Sequence, residues 1–290
     1  MIRLIFVILL STPLISQVFS EYSYVGVQGS AMSGSVISHT SSESGIFQNP
    51  ASISGFNGNI VMIGQANVFS QSYLPYLHLG IIYDIPFLGQ TGMSYQNFST
   101  DYNGSKLSTE SSLSLTKGMY LQKDKNSSLS LGVRVNFLIW DQSGSAGPSG
   151  DGSTGFGSYQ SSNMGVDFGI IGGLRNKYWV GGYISNINSP LMNGINLPRK
   201  ISISLGFSPI DDIYTNLSME RLLGRNDRQI KLGFKYNLNS VLSIMSGVQS
   251  NPNRFGVGFE YKILNRIIFG YSILTHHIMP ETHNFEIKFK

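Results

Sequence analysis

The run Leu129-Ser130-Leu131-Gly132-Val133-Arg134-Val135-Asn136-Phe137-Leu138-Ile139 decides the fold. Its odd positions are all apolar, while Ser130, Gly132, Arg134 and Asn136 sit between them. A period of two sends successive side chains to opposite faces of a strand, so this segment has one apolar face and one polar face. The pattern recurs in Ile201, Ile203, Leu205 and Phe207, and in Ile230, Leu232, Phe234 and Tyr236. It recurs again in Phe255, Val257, Phe259, Tyr261 and Ile263, and closes the chain as Phe285, Ile287 and Phe289. No helical period of similar clarity is present.

A tilted membrane strand of about 9–11 residues is the natural ruler for such runs. It divides the chain into about fourteen strands: 59–68, 76–85, 90–99, 108–120, 128–140, 162–174, 177–187, 199–208, 211–221, 227–237, 240–249, 252–263, 265–275 and 281–289. Every second connection is short: 86–89, 122–127, 175–176, 209–210, 238–239 and 264. The others tend to be long: 69–75, 100–107, 141–161, 188–198, 222–226 and 276–280. Tight turns at one end and long loops at the other are the layout of an outer-membrane barrel. Soluble sandwiches, lipocalins and lectins also alternate, but they turn the apolar face inward and have no reason to segregate their loops. The expected fold is therefore all-β, a transmembrane antiparallel barrel of about fourteen strands.

Composition agrees. Of 290 residues only 12% are charged, while 41% are hydrophobic and 12% aromatic. That is about half the usual charge, replaced by Ser, Asn, Gly and Tyr, while the aromatics and the Ile, Leu and Val throughout argue against disorder. Past the N-terminus no run of about 18 apolar residues offers a membrane helix. The net charge of +4 is small and scattered, so no nucleic-acid partner is expected. With no cysteine, disulfides, thiolate metal sites and Cys nucleophiles are all excluded.

Arg3, the apolar run Leu4 to Leu10 and the small residue Ser20 read as a signal peptide over 1–20 that ends at Ser20. No Cys follows, which excludes a lipoprotein anchor. Residues 21–58 lack alternation and are rich in Gly and Ser. Within them, Asn49 can cap a helix and Pro50 suits its first position, so a short helix is expected near 50–54, stopped by Gly55. This segment is expected to plug the lumen, with Asn49, Pro50 and Ala51 as its gating element and residues 59–290 as the barrel.

Gly26 to Ile53, with its Gln48-Asn49-Pro50-Ala51-Ser52-Ile53 core, resembles the N-terminal signature of FadL-type barrels and of the similar PorV/PorQ proteins. Val166-Asp167-Phe168-Gly169-Ile170, Leu197-Pro198 and Thr282-His283 resemble the PorV/PorQ side. Ser41-Ser42-Glu43 stands where paired Asp residues are common, and Lys290 rather than an aromatic ends the chain. The FadL likeness implies fourteen strands and passage of a hydrophobic small molecule. The PorV/PorQ likeness implies an accessory of type IX secretion that docks exported proteins at the cell surface. Either implies a barrel in outer-membrane lipid, inserted by the barrel-assembly machinery, with Phe285, Ile287 and Phe289 as the assembly signal.

The chemistry expected of the lumen is charge pairing. Arg134, Asp167, Lys231, Lys235, Glu260, Glu286 and Lys288 fall on the polar faces of their strands, and Arg134 with Asp167 is the favoured pair. His276, His277, Glu281 and His283 match no tight metal motif, so no metal and no cofactor is expected. Gly29-Ser30 and Gly34-Ser35 lack a nucleophile elbow, and the Gly-rich stretch 144–152 lacks the Lys and following helix of a phosphate loop. No catalytic residue is assigned.

Overall fold

The computed structural model describes residues 19, 24–102, 105–145, 153–224, 228–264 and 266–290. Apart from Phe19, the expected signal peptide lies outside the described residues.

Fourteen strands close into one antiparallel barrel. In chain order they begin with β1 (Ile60–Asn67), β2 (Pro75–Ile85), β3 (Gly89–Tyr102), β4 (Ser105–Lys123), β5 (Ser127–Gln142), β6 (Tyr159–Leu174) and β7 (Tyr178–Ser185). A two-stranded hairpin, β8 (Leu191–Met192) and β9 (Ile195–Asn196), interrupts the series. The barrel resumes with β10 (Lys200–Phe207), β11 (Ile213–Leu222), β12 (Arg228–Asn237) and β13 (Leu242–Gln249). It ends with β14 (Arg254–Ile263), β15 (Ile267–Leu274) and β16 (Thr282–Phe289). Antiparallel pairing of β1 with β16, Val61 opposite Phe289 and Asn67 opposite His283, closes the ring and leaves no open edge.

The apolar set faces outward. Val133, Leu205, Ile230, Val257 and Ile287 are exposed, while Ser130, Arg134, Asn136, Ser204 and Glu286 between them are buried. A soluble protein would reverse this; a transmembrane barrel requires it, because lipid rather than water meets the outer wall. Among the described residues no helix is long and apolar enough to cross a membrane.

The ends differ from the sequence reading in three places. Residues 100–107 are not a long loop: β3 continues to Tyr102 and β4 starts at Ser105, adding height to that wall. Apart from Tyr102 and Leu107, the described residues there (Thr100, Asp101, Ser105 and Lys106) are polar, so the stretch offers little hydrophobic contrast to read. The β8–β9 hairpin is too short to show a period at all. Near Pro50 the expected helix is a 3-10 turn, Pro50–Gly55, whose bonds from Ser52 N to Asn49 O (2.9 Å) and Phe56 N to Ile53 O (3.1 Å) span three residues.

Residues 24–56 fill the lumen. A one-turn helix, α1 (Gly26–Ala31), lies against β13 to β16, and the Pro50–Gly55 turn lies against β3 to β6. Sequence reading missed α1, which has no apolar period and no side-chain cap of its own; the wall supplies a partner instead, Glu286 Oε2 accepting from Val27 N at 3.2 Å. Glycine on the inner wall makes the close fit possible. A Cβ on Gly132 would overlap the Pro50–Ala51 peptide, and one on Gly247 would overlap the backbone of Met32. Apolar plug residues complete the core: Val25, Ile46, Phe47, Ile53 and Phe56 pack on Ile60, Met62, Tyr76 and Ile82 of the wall.

Candidate functional site: the plugged lumen

Asn49 is fully buried and ties three segments together. Its Oδ1 accepts from Ala51 N at 3.1 Å, capping the turn, while its Nδ2 donates to Ile37 O (2.8 Å) and to Gly182 O on β7 (3.3 Å). Pro50 needs no donor partner at the first position of the turn. Ala51 joins the cluster around Val27, Met32, Trp179 and Met245.

Hydroxyls and amides join plug to wall elsewhere. Asn284 Nδ2 donates to Ser30 Oγ (2.8 Å), Ser35 Oγ donates to Asn216 O (2.8 Å), and Ser54 Oγ donates to Ser130 Oγ (2.9 Å). Short polar side chains do this without claiming volume, which is why the lumen is rich in Ser and Asn.

Buried charges form three clusters. In the first, Arg134 and Asp167 are directly opposed on β5 and β6. Arg134 Nε donates to Asp167 Oδ2 at 2.9 Å, and Nη1 reaches the plug at Ile46 O (3.0 Å). Asp167 also accepts from Asn136 Nδ2 (2.9 Å), Tyr183 OH (3.2 Å) and Asn186 N (2.8 Å). In the second, Glu220 lies 3.1 Å from Lys231 Nζ and 3.7 Å from Lys200 Nζ, and accepts from Ser202 Oγ (3.2 Å). In the third, Lys288 Nζ meets Glu260 (2.6 Å), Glu286 (3.7 Å) and Glu43 of the plug (2.9 Å). Lys235 pairs with Glu260 at 3.0 Å, and His78 Nε2 lies 3.3 Å from Glu286. Every lumen candidate from the sequence thus faces inward and meets an opposite charge.

Sequence reading passed over Glu220, Tyr183, His78 and Glu43. The first three occupy inward positions of β11, β7 and β2, so the parity of those strands contained the signal. Glu43 stands in a segment without period, where the only mark was its place at the family's acidic stretch.

Two plug groups are electrostatically set. Burial alone would raise the Glu43 carboxyl, but Lys288, Lys235 and Lys290 hold it well below the usual carboxylate range. His39 is lowered to about 4, first by burial and then by Lys235, against the opposing effect of Glu43. Its ring packs on Trp179 (5.1 Å between centroids) and Tyr214 (4.8 Å), and its Nδ1 accepts from Ser41 N at 3.2 Å.

Above the plug, toward the long loops, a cavity of about 130 Å³ remains. Val25, Ile37 and Phe47 form its apolar floor; Arg134, Asp167, Lys200, Glu220 and Lys231 form a charged wall. Its volume is near that of an engineered cavity of about 150 Å³ that binds benzene.

This plugged fourteen-strand barrel is the fold of known hydrocarbon transporters. The toluene transporter TbuX of Ralstonia pickettii superposes with a TM-score of 0.67 at 11% identity, covering 93% of this chain and 98% of that one. The toluene transporter TodX of Pseudomonas putida gives 0.57 at 13% identity, covering 91% and 96%. A FadL homologue of Pseudomonas aeruginosa gives 0.56 at 11% identity, covering 91% and 97%. No family profile and no curated protein sequence matches the chain. The secretion-accessory likeness gains no support from these similarities.

At the long-loop end, His283 faces outward, 2.7 Å from Tyr271 OH, and the rings of His276 and His277 lie against each other. Among the described residues no three or more His, Cys, Asp or Glu side chains are grouped to hold a metal ion.

Proposed function

We propose that the protein is an outer-membrane channel for hydrophobic small molecules, with the long loops outside and the short turns in the periplasm. The observation that carries this reading is a lumen occupied by residues 24–56 with a one-ring-sized cavity on the long-loop side, in a fold shared with toluene transporters. A solute reaches the cavity from outside, settles on the Val25, Ile37 and Phe47 floor, and proceeds only when the plug shifts. Besides its apolar packing on the wall, the plug is held by hydrogen bonds to small side chains and by the Glu43–Lys288 and Arg134–Ile46 contacts, all of them non-covalent and open to exchange when the plug shifts. No bond is made or broken in the solute; binding and gating are the whole mechanism.

Labelled toluene and a labelled long-chain fatty acid, offered separately to cells with and without the protein, test this. Faster uptake of either supports a hydrophobic-solute channel, and the difference between them reports the size accepted. Equal uptake of both overturns it, and a co-purifying exported protein would then favour a docking role.

A further inference from the structure

The barrel is lopsided, and its turns follow the asymmetry. Strands β4, β5 and β6 have 19, 16 and 16 residues. By contrast β1, β7, β10, β13, β15 and β16 have 8 each, β11, β12 and β14 among them have 10, and β2 and β3, with 11 and 14, grade between the two. On the tall side, the outward apolar run Leu129 to Ile139 covers about 25 Å of membrane at a 3.3 Å rise and a tilt near 45°, the full height of an apolar band. On the short side, by the same measure, the eight-residue strands cover only roughly 19 Å and the ten-residue strands roughly 23 Å, so roughly 2–6 Å of hydrocarbon is left unmatched.

Turn chemistry follows part of this division. The two short turns of the tall side are charged: Asp124-Lys125-Asn126 and Arg175-Asn176-Lys177. On the short side the β12–β13 turn carries Leu238 and Val241 and the β14–β15 turn carries Leu264, whereas the β10–β11 turn sets Asp211 and Asp212 beside Ile210. Leu238, Val241 and Leu264 are exposed, Leu264 at 83%. In water this would be an apolar rim of the kind that marks an interaction surface.

We propose that this rim is a lipid-docking surface: Leu238, Val241 and Leu264 insert into the headgroup and acyl boundary of the periplasmic leaflet and complete the short wall. A phospholipid surface fits because the rim continues the outward belt of the same strands, Ile263 and Phe289 leading directly to Leu264. The barrel therefore sits deeper along the β12–β15 arc than along β4–β6. This rests on the outer-membrane reading.

The chain has no cysteine, so single-cysteine variants report one site each. L264C, K125C and V133C, labelled with bimane, are placed in phosphatidylcholine vesicles with and without lipid brominated high on its acyl chains. Heat-dependent gel migration confirms folding, and L238C replaces L264C if that variant does not fold. Quenching at 264 comparable to 133 and several-fold stronger than at 125 is expected. Quenching at 264 no stronger than at 125, whether both are weak or both strong, overturns the proposal. An unquenched label at 133 would instead overturn the membrane reading itself.

Discussion

Replacing Asn49 by Ala should unseat the plug while leaving the barrel closed. The change removes the acceptor for Ala51 N and the donor to Ile37 O and Gly182 O at a site with no exposure. Loss of the cap costs about 1 kcal/mol. Leaving the buried Ile37 carbonyl without its amide costs about 1–3 kcal/mol more. Together these lower the free energy of plug opening by about 2–4 kcal/mol, a rise of roughly 30- to 1,000-fold in the open population at 1.4 kcal/mol per decade. Amide hydrogen exchange of a peptide over 45–56, in protein held in lipid nanodiscs, reads this directly when reclosing is fast. Asn49→Ser keeps the cap but not the reach to Ile37 and Gly182, and should fall between. Exchange in Asn49→Ala within about twofold of the wild type, far below the change calculated from these bonds, would refute the reasoning.

Other outcomes follow from the same geometry. Asp167→Leu should destabilise more than Arg134→Leu, because Asp167 keeps three other donors. Each should cost about 3–5 kcal/mol, and the double variant less than their sum, as measured by urea unfolding. Val133→Arg should cost about 2–4 kcal/mol in barrel assembly while Val133→Ala is tolerated; equal assembly would reverse the assignment of faces. In planar bilayers the intact protein should show little steady conductance and a deletion of 21–58 a large one; strong ion-selective currents from the intact protein would refute the plugged lumen. Acid should loosen the plug. His39, lowered to about 4 when docked, takes up a proton on release, so docking weakens as pH falls from about 6.5 toward 4. Glu43, held low when docked, adds to this below about 4.5. Conductance that stays flat between neutral pH and about 4.5 in the wild type, or an unchanged acid response in His39→Gln, would count against this.

Strand positions were legible to within a few residues because the lipid face writes a strong period into each strand, as Leu129 to Ile139 and Phe255 to Ile263 do. The Arg134–Asp167 pair was legible for the same reason, since inward parity left those charges few places to go. What escaped lies where no solvent contrast exists. The helix at Gly26–Ala31 is surrounded by protein, and its end is satisfied by Glu286, some 260 residues away in sequence. Glu43 finds Lys288 only after the barrel has closed around it.

The wall glycines give the interior an unusual kind of memory. Gly132 and Gly247 touch the main chain of the plug, not its side chains, so this part of the fit depends on the path of the backbone and is indifferent to most residue identities there. A segment of foreign sequence that follows the same path, with small residues at the crossings and an Asn-Pro pair at the turn, should seat in this barrel provided it also keeps the apolar contacts of Ile46, Phe47 and Ile53 and the Glu43–Lys288 pair. The cavity above could then be re-shaped by exchanging the plug alone, with the membrane-facing half of the molecule left untouched.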